Sequence, residues 1–145
     1  MQVDFYQLTR DPAEMVLPAI AQRIIENGDR LLIVSNDPAQ LDKISSALWS
    51  FKPDSFLAHG EAGRGNDDVQ PILLSSLPIA ANGATMIALA DGEWRDAALD
   101  FQRAFYFFPP SQTDSARTAW RALAGKTDIE RRYWKQDGGK WRQGP

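Results

Sequence analysis

Apolar positions along the chain culminate in one uninterrupted run, Leu31, Leu32, Ile33 and Val34, and a segment with helical spacing follows it closely. A run without alternation predicts a strand covered on both faces, which in 145 residues means a central strand with helices on either side of its sheet. Leu41, Ile44 and Leu48 recur at intervals of three and four, so a helix beginning at Pro38 would lay one apolar stripe on that sheet. Asp37 is placed to cap its free N–H groups, Pro38 sits where no donor is needed, and Gln40 is placed to reach back as in a capping box. Strand, tight turn and helix make half of a βαβ unit.

The same signals extend in both directions. Val3 to Leu8 reads as a first strand, and Asp11, Pro12 and Glu14 repeat the capping pattern. Pro18 would break a helix begun at Pro12, so the regular helix is expected from about Leu17 to Asn27, with Leu17, Ile20 and Ile24 as its apolar face. Ser55 to His59 reads as a short third strand, and GEAGRGNDD after it as a mobile polar loop. Ile72 to Leu74 and Thr85 to Leu89 are further strands, Trp94 to about Phe101 a short helix, and Ala104 to Phe108 the last strand of the sheet. Ser111 to Ala124 reads as a helix ending at Gly125, with cap candidates Ser111, Thr113 and Asp114 and with Ala116, Ala119 and Leu123 packing inward. Residues 126–145 form either a hairpin turning at Asp137-Gly138-Gly139 or an extended tail. The order predicts a single α/β domain over residues 1–145, a Rossmann-like three-layer α/β/α sandwich with a mostly parallel sheet.

Charge changes this picture at one end only. Residues 1–111 carry 8 Lys and Arg against 15 Asp and Glu, a net of -7, whereas residues 112–145 carry 8 against 4, a net of +4. Trp120, Tyr133, Trp134 and Trp141 are interleaved with those cations, so the last quarter is a candidate basic aromatic surface on an acidic body. The chain has no Cys, no apolar run long enough to span a bilayer, and no basic start and apolar core of a signal peptide, so a soluble cytoplasmic protein is expected.

Catalytic signals are absent. A phosphate-binding βα turn needs glycines, and the turns LTRDPA and SNDPAQ have none, while Asp37 would repel a phosphate. Gly60, Gly63 and Gly65 lie in a loop without a following Lys-Ser/Thr. His59 is the only histidine and no GxSxG occurs; Asp67, Asp68, Asp91 and Glu93 sit in turns that solvated acids favour. No enzyme activity, cofactor or metal is expected, the competing reading being a nucleotide-binding α/β enzyme or helicase-derived domain.

Two aromatic constellations remain. Trp49 follows the inward-facing Leu48 and either finishes the core or forms an exposed patch. Arg117, Trp120 and Arg121 stand at i, i+3 and i+4, hence on one helical face with the indole between two guanidinium groups, as either a solvated basic face or a binding surface.

FYQL at the start, GDRLLIVSNDPAQLDKISSALW, PDSFLAHGEAGRG, TMIALA with DFQRAFYFFPP after it, and ARTAWRAL in the late helix together resemble the chi subunit family of bacterial DNA polymerase III. The central piece is also similar to the second RecA-like domain of helicases, in fold only, since the arginine-bearing nucleotide motifs of helicases are missing. The chi resemblance implies a non-catalytic accessory subunit of the clamp-loader complex in DNA replication. Such a subunit grips the acidic, Phe-terminated C-terminal tail of single-stranded DNA-binding protein, joins the clamp loader through a psi subunit, and meets nucleic acid only indirectly. By the same resemblance Arg117 matches the tail-binding arginine, Trp120 and Arg121 the neighbouring aromatic and second basic residue, and Trp49 and Phe56 the positions where psi docks. The C-terminal RRYWKQDGGKWRQGP departs from the family's shorter tail.

Overall fold

The computed structural model describes residues 1–52 and 57–144. Strand β1 (Gln2–Gln7) is followed by helix α1 (Ala13–Glu26), β2 (Leu31–Val34), α2 (Pro38–Trp49), the two-residue β3 (Gly60–Glu61), β4 (Ile72–Ser75), β5 (Met86–Leu89), β6 (Arg103–Phe108), α3 (Thr113–Leu123), β7 (Glu130–Asp137) and β8 (Lys140–Gln143). The strands form one sheet in the order β3-β4-β2-β5-β6-β1-β7-β8. Every neighbouring pair is parallel except β7 with β8.

All four residues of β2 are completely buried, as a run without alternation requires. Leu31 and Ile33 pack with Leu17, Ala21, Ile44 and Leu48 of α1 and α2, whereas Leu32 and Val34 belong to the opposite core with Ala116, Ala119 and Leu123 of α3. The result is a three-layer α/β/α sandwich. The β2 strand lies inside the sheet but third from one edge, and the middle pair is β5 and β6.

Several elements depart from the sequence reading. Helix α1 begins at Ala13 and runs through Pro18 without a break. The proline forfeits one bond to the carbonyl four residues earlier, and burial of Leu17, Pro18, Ala21 and Ile24 outweighs that loss. Gln40 does not close a capping box: its Oε1 accepts from the Ser35 hydroxyl at 2.6 Å and its Nε2 donates to the Ala90 carbonyl at 2.7 Å, while Asp37 alone caps α2 by accepting from Ala39 N. The third strand is not at residues 57–59 but at Gly60–Glu61, and the first two residues of the expected segment, 55 and 56, lie outside the described residues. Only a 3-10 helix, Asp96–Asp100, forms where a helix from Trp94 to about Phe101 was expected, because the backbone is already extended at Arg95 and again at Phe101. The late helix starts at Thr113 after a 3-10 turn over Pro110–Gln112, and no side chain caps it.

Strand β6 is interior rather than last, because β1 and the C-terminal hairpin continue the sheet beyond it. The hairpin turns through Gly138 and Gly139, whose φ of 58° and 125° are open to glycine at little cost. It is fastened to the body by two buried polar groups. Asp4, with no exposed surface, accepts from Arg103 Nε at 2.7 Å and from Trp134 Nε1 at 3.2 Å. Gln136 is considered with the site below.

Candidate functional site

The 3.6-residue period of α3 turns Ala116, Ala119 and Leu123 into the core and leaves Arg117 and Arg121 exposed on one flank. Trp120 stands at the boundary and is partly buried. Its ring meets Phe5 edge-on at 5.1 Å and Tyr133 edge-on at 5.6 Å between centroids. The guanidinium that lies against the indole belongs to Arg131 of β7, at 4.0 Å from the ring centroid. The structure therefore corrects the expected sandwich of Trp120 between Arg117 and Arg121. Parallel pairing of β7 with β1 sets Arg131 beside Val3, under the helix, where the indole face needs a cover.

Tyr133 connects Trp120 to the sheet. Its hydroxyl donates to Gln7 Oε1 at the end of β1, and its ring lies 5.9 Å from Phe108. Burial raises the phenol above its ordinary pKa, and the positive charge of Arg117 partly opposes that rise. Among the described residues, the side chains of Arg117 and Arg121 have no hydrogen bond or ion pair. A guanidinium unclaimed by any carboxylate, on the helix that carries a half-buried indole, is suited to an anionic ligand that also carries a ring.

Trp49 occupies the last position of α2 and is 49% exposed, so its exposed face is real. It lies against His59 at 4.5 Å between centroids, and that imidazole is held by the Ser45 hydroxyl at 2.7 Å and the Leu57 carbonyl at 2.8 Å. Phe56, its expected companion, lies outside the described residues. The two constellations are not brought together: α2 packs on the opposite face of the sheet from α3.

The carboxyl ends of the parallel strands open into a cleft of about 490 Å³ that includes Glu14, Asp37, Asp91 and Glu93 in its walls. Several donors of its βα turns are already used. Gln136 Oε1 accepts from the backbone N–H groups of Thr9, Arg10 and Asp11 at 3.0, 3.1 and 3.2 Å, and Asp91 Oδ2 accepts from Asn36 N at 2.8 Å. Burial acts to raise the Asp91 carboxyl, but hydrogen bonds from Arg95 and Asn36 outweigh it and hold the group below its ordinary value. A cleft walled by four carboxylates, with these N–H groups already engaged, does not suit a phosphate. Among the described residues no group of three or more His, Asp or Glu side chains could hold a metal ion, and no helix is long and apolar enough to cross a membrane.

The sequence reading placed Tyr133 in the basic aromatic end without a partner, and missed Gln7, Arg131 and Gln136. The alternation Arg131, Tyr133, Lys135 carried a strand signal, but nothing local indicated which strand it would join. In comparison with known proteins, residues 1–127 match the family model described as DNA polymerase III chi subunit, HolC. No curated protein matches the chain. The matched span ends before β7, so the hairpin over residues 130–143 lies beyond it.

Proposed function

Since the chain belongs to the DNA polymerase III chi subunit family, a family of non-catalytic accessory subunits in DNA replication, we propose that it captures the acidic, Phe-terminated C-terminal tail of single-stranded DNA-binding protein. Arg117 takes the terminal carboxylate, Trp120 forms part of the wall, and Arg121 meets acidic residues upstream. The observation that carries this reading is the exposed guanidinium of Arg117, unpaired among the described residues and one turn before the partly buried indole of Trp120 on α3. A C-terminal Phe presents a carboxylate and a ring on one residue, and this juxtaposition offers a partner for each.

On the same reading Trp49 and Phe56 dock a psi-like subunit that links the protein to the clamp loader in the cytoplasm. Support comes from the half-exposed indole of Trp49 at the end of α2. Because α2 and α3 lie on opposite faces of the sheet, both partners could bind at once. Nucleic acid is reached only through the single-stranded DNA-binding protein.

Fluorescence anisotropy of a labelled acidic peptide ending in Phe tests the tail site. Arg117→Ala is expected to stay folded by circular dichroism and to lose about 2 kcal/mol or more of binding, on the scale of an interface hot spot. Arg121→Ala should lose less and flatten the salt dependence, because an exposed rim charge acts through a screened field. A folded Arg117→Ala that binds like the parent would show that the tail docks elsewhere.

A further inference from the structure

Strand β8 and the outer part of β7 give the proposed tail site a second anionic subsite. Pairing sets Gln7 beside Lys135 and Lys135 beside Arg142, so the three form one row across β1, β7 and β8. Lys135 follows Tyr133 by two residues and therefore shares its face, the one packed beneath α3. Gln7 accepts the Tyr133 hydroxyl, and that hydroxyl feels the charge of Arg117. Tyr133 also meets the ring of Trp120, one turn after Arg117 on α3, at 5.6 Å, so the row begins beside the proposed tail site, with neighbouring strands about 4.8 Å apart.

The cations in this row are available in different degrees. Lys135 is exposed and has no hydrogen bond or ion pair among the described residues. Arg142 pairs with Asp137 at 2.7 Å, but the two side chains are 78% and 55% exposed, and an exposed pair of this kind exchanges partners at little cost. Arg131, on the same face, is committed to Trp120. Resting on the tail reading above, we propose that Lys135 and Arg142 receive the carboxylates immediately upstream of the terminal Phe. The hairpin thereby selects an acidic tail over a neutral one with the same last residue. Successive same-side residues of an extended peptide are about 7 Å apart, so a short acidic stretch reaches both cations once its last residue is held at Arg117.

The test compares two labelled peptides ending in Phe, one with Asp residues upstream and one with Asn in their place, against the full chain. Lys135→Gln and the double variant Lys135→Gln with Arg142→Gln are expected to weaken the Asp peptide about fivefold or more and to reduce its salt slope. Binding of the Asn peptide should be unchanged, and Lys135→Arg should restore the Asp peptide. Loss of both peptides in Arg117→Ala, with equal binding of the Asp peptide to parent and Lys135→Gln, would overturn the hairpin subsite and leave the tail reading standing. Failure of the folded parent to bind either peptide would overturn the tail reading and the subsite with it. Urea unfolding of each variant, expected to match the parent because these side chains are exposed, separates lost charge from a disrupted hairpin.

Discussion

Arg131 covers Trp120 twice over: its guanidinium carbon lies 4.0 Å above the indole centroid, and its Nη1 donates to the Trp120 carbonyl at 2.6 Å. The contact ties the last turns of α3 to β7 and sets the indole edge-on to Phe5 and Tyr133. Trp120 is thus held by the fold, which decides how its variants must be read.

Arg131→Ala should lower stability by about 1–2 kcal/mol, the loss of one cation–π contact and one hydrogen bond from a charged donor. Trp120→Ala should lower it by about 3 kcal/mol, as for truncation of a large aromatic side chain at a core margin. Urea unfolding at neutral pH measures both. If Trp120→Ala were as stable as the parent, the indole would not be the packing element described here.

Gln136 should be a keystone of the hairpin. It is 5% exposed, gathers three backbone N–H groups of the loop after β1 and donates to Asp11 at 2.9 Å. Gln136→Ala strips those donors of their acceptor and is expected to cost about 2 kcal/mol. Amide hydrogen exchange is expected to accelerate across Trp134–Gln143 and at Thr9 to Asp11 before it does in β2. Uniform acceleration in β2 and β7 would contradict a local role.

Alkaline conditions should destabilise the protein through its three tyrosines. Burial pushes Tyr6 and Tyr106 up to about 12, with Asp4 acting further on Tyr6 and Asp91 on Tyr106, and burial also raises Tyr133. The unfolded chain releases these protons near pH 10. Their stabilising contribution is therefore complete below pH 10 and is lost as pH rises from there through the folded values, by up to about 1.4 kcal/mol per pH unit for each group. Phenolate absorbance should remain small in the native protein at pH 10.5 and appear together with loss of the circular dichroism signal. Reversible titration of all three phenols near pH 10 with the fold intact would refute this.

Neither ATP nor bare oligonucleotide should bind with consequence. Thr9, Arg10, Asp11 and Asn36 already direct their N–H groups to Gln136 and Asp91, and Glu14, Asp37, Asp91 and Glu93 line the cleft at the carboxyl ends of the strands. Calorimetry is expected to show no saturable ATP signal, and single-stranded DNA should be recruited at physiological salt only through its binding protein. A micromolar ATP isotherm, or tight salt-sensitive binding of naked oligonucleotide, would contradict these expectations.

Local pattern was enough for the elements whose causes are local. The unalternating Leu31–Val34 run announced a strand covered on both sides, Asp37 and Pro38 announced the start of α2, and the spacing of Arg117, Trp120 and Arg121 announced a shared flank, because helical period and capping depend on residues within one or two turns. The continuity of α1 through Pro18 already escaped this logic, since packing of its neighbours on the sheet overrode a local penalty. The surroundings of the site lay further out of reach. Arg131 over Trp120, Tyr133 on Gln7 and Gln136 on Thr9 to Asp11 all depend on β7 pairing in parallel with β1, a choice of partner and register made across more than a hundred residues. Sequence specifies which face of a strand is apolar, but only the assembled sheet decides which strand comes to lie beside it and therefore which charges meet which rings.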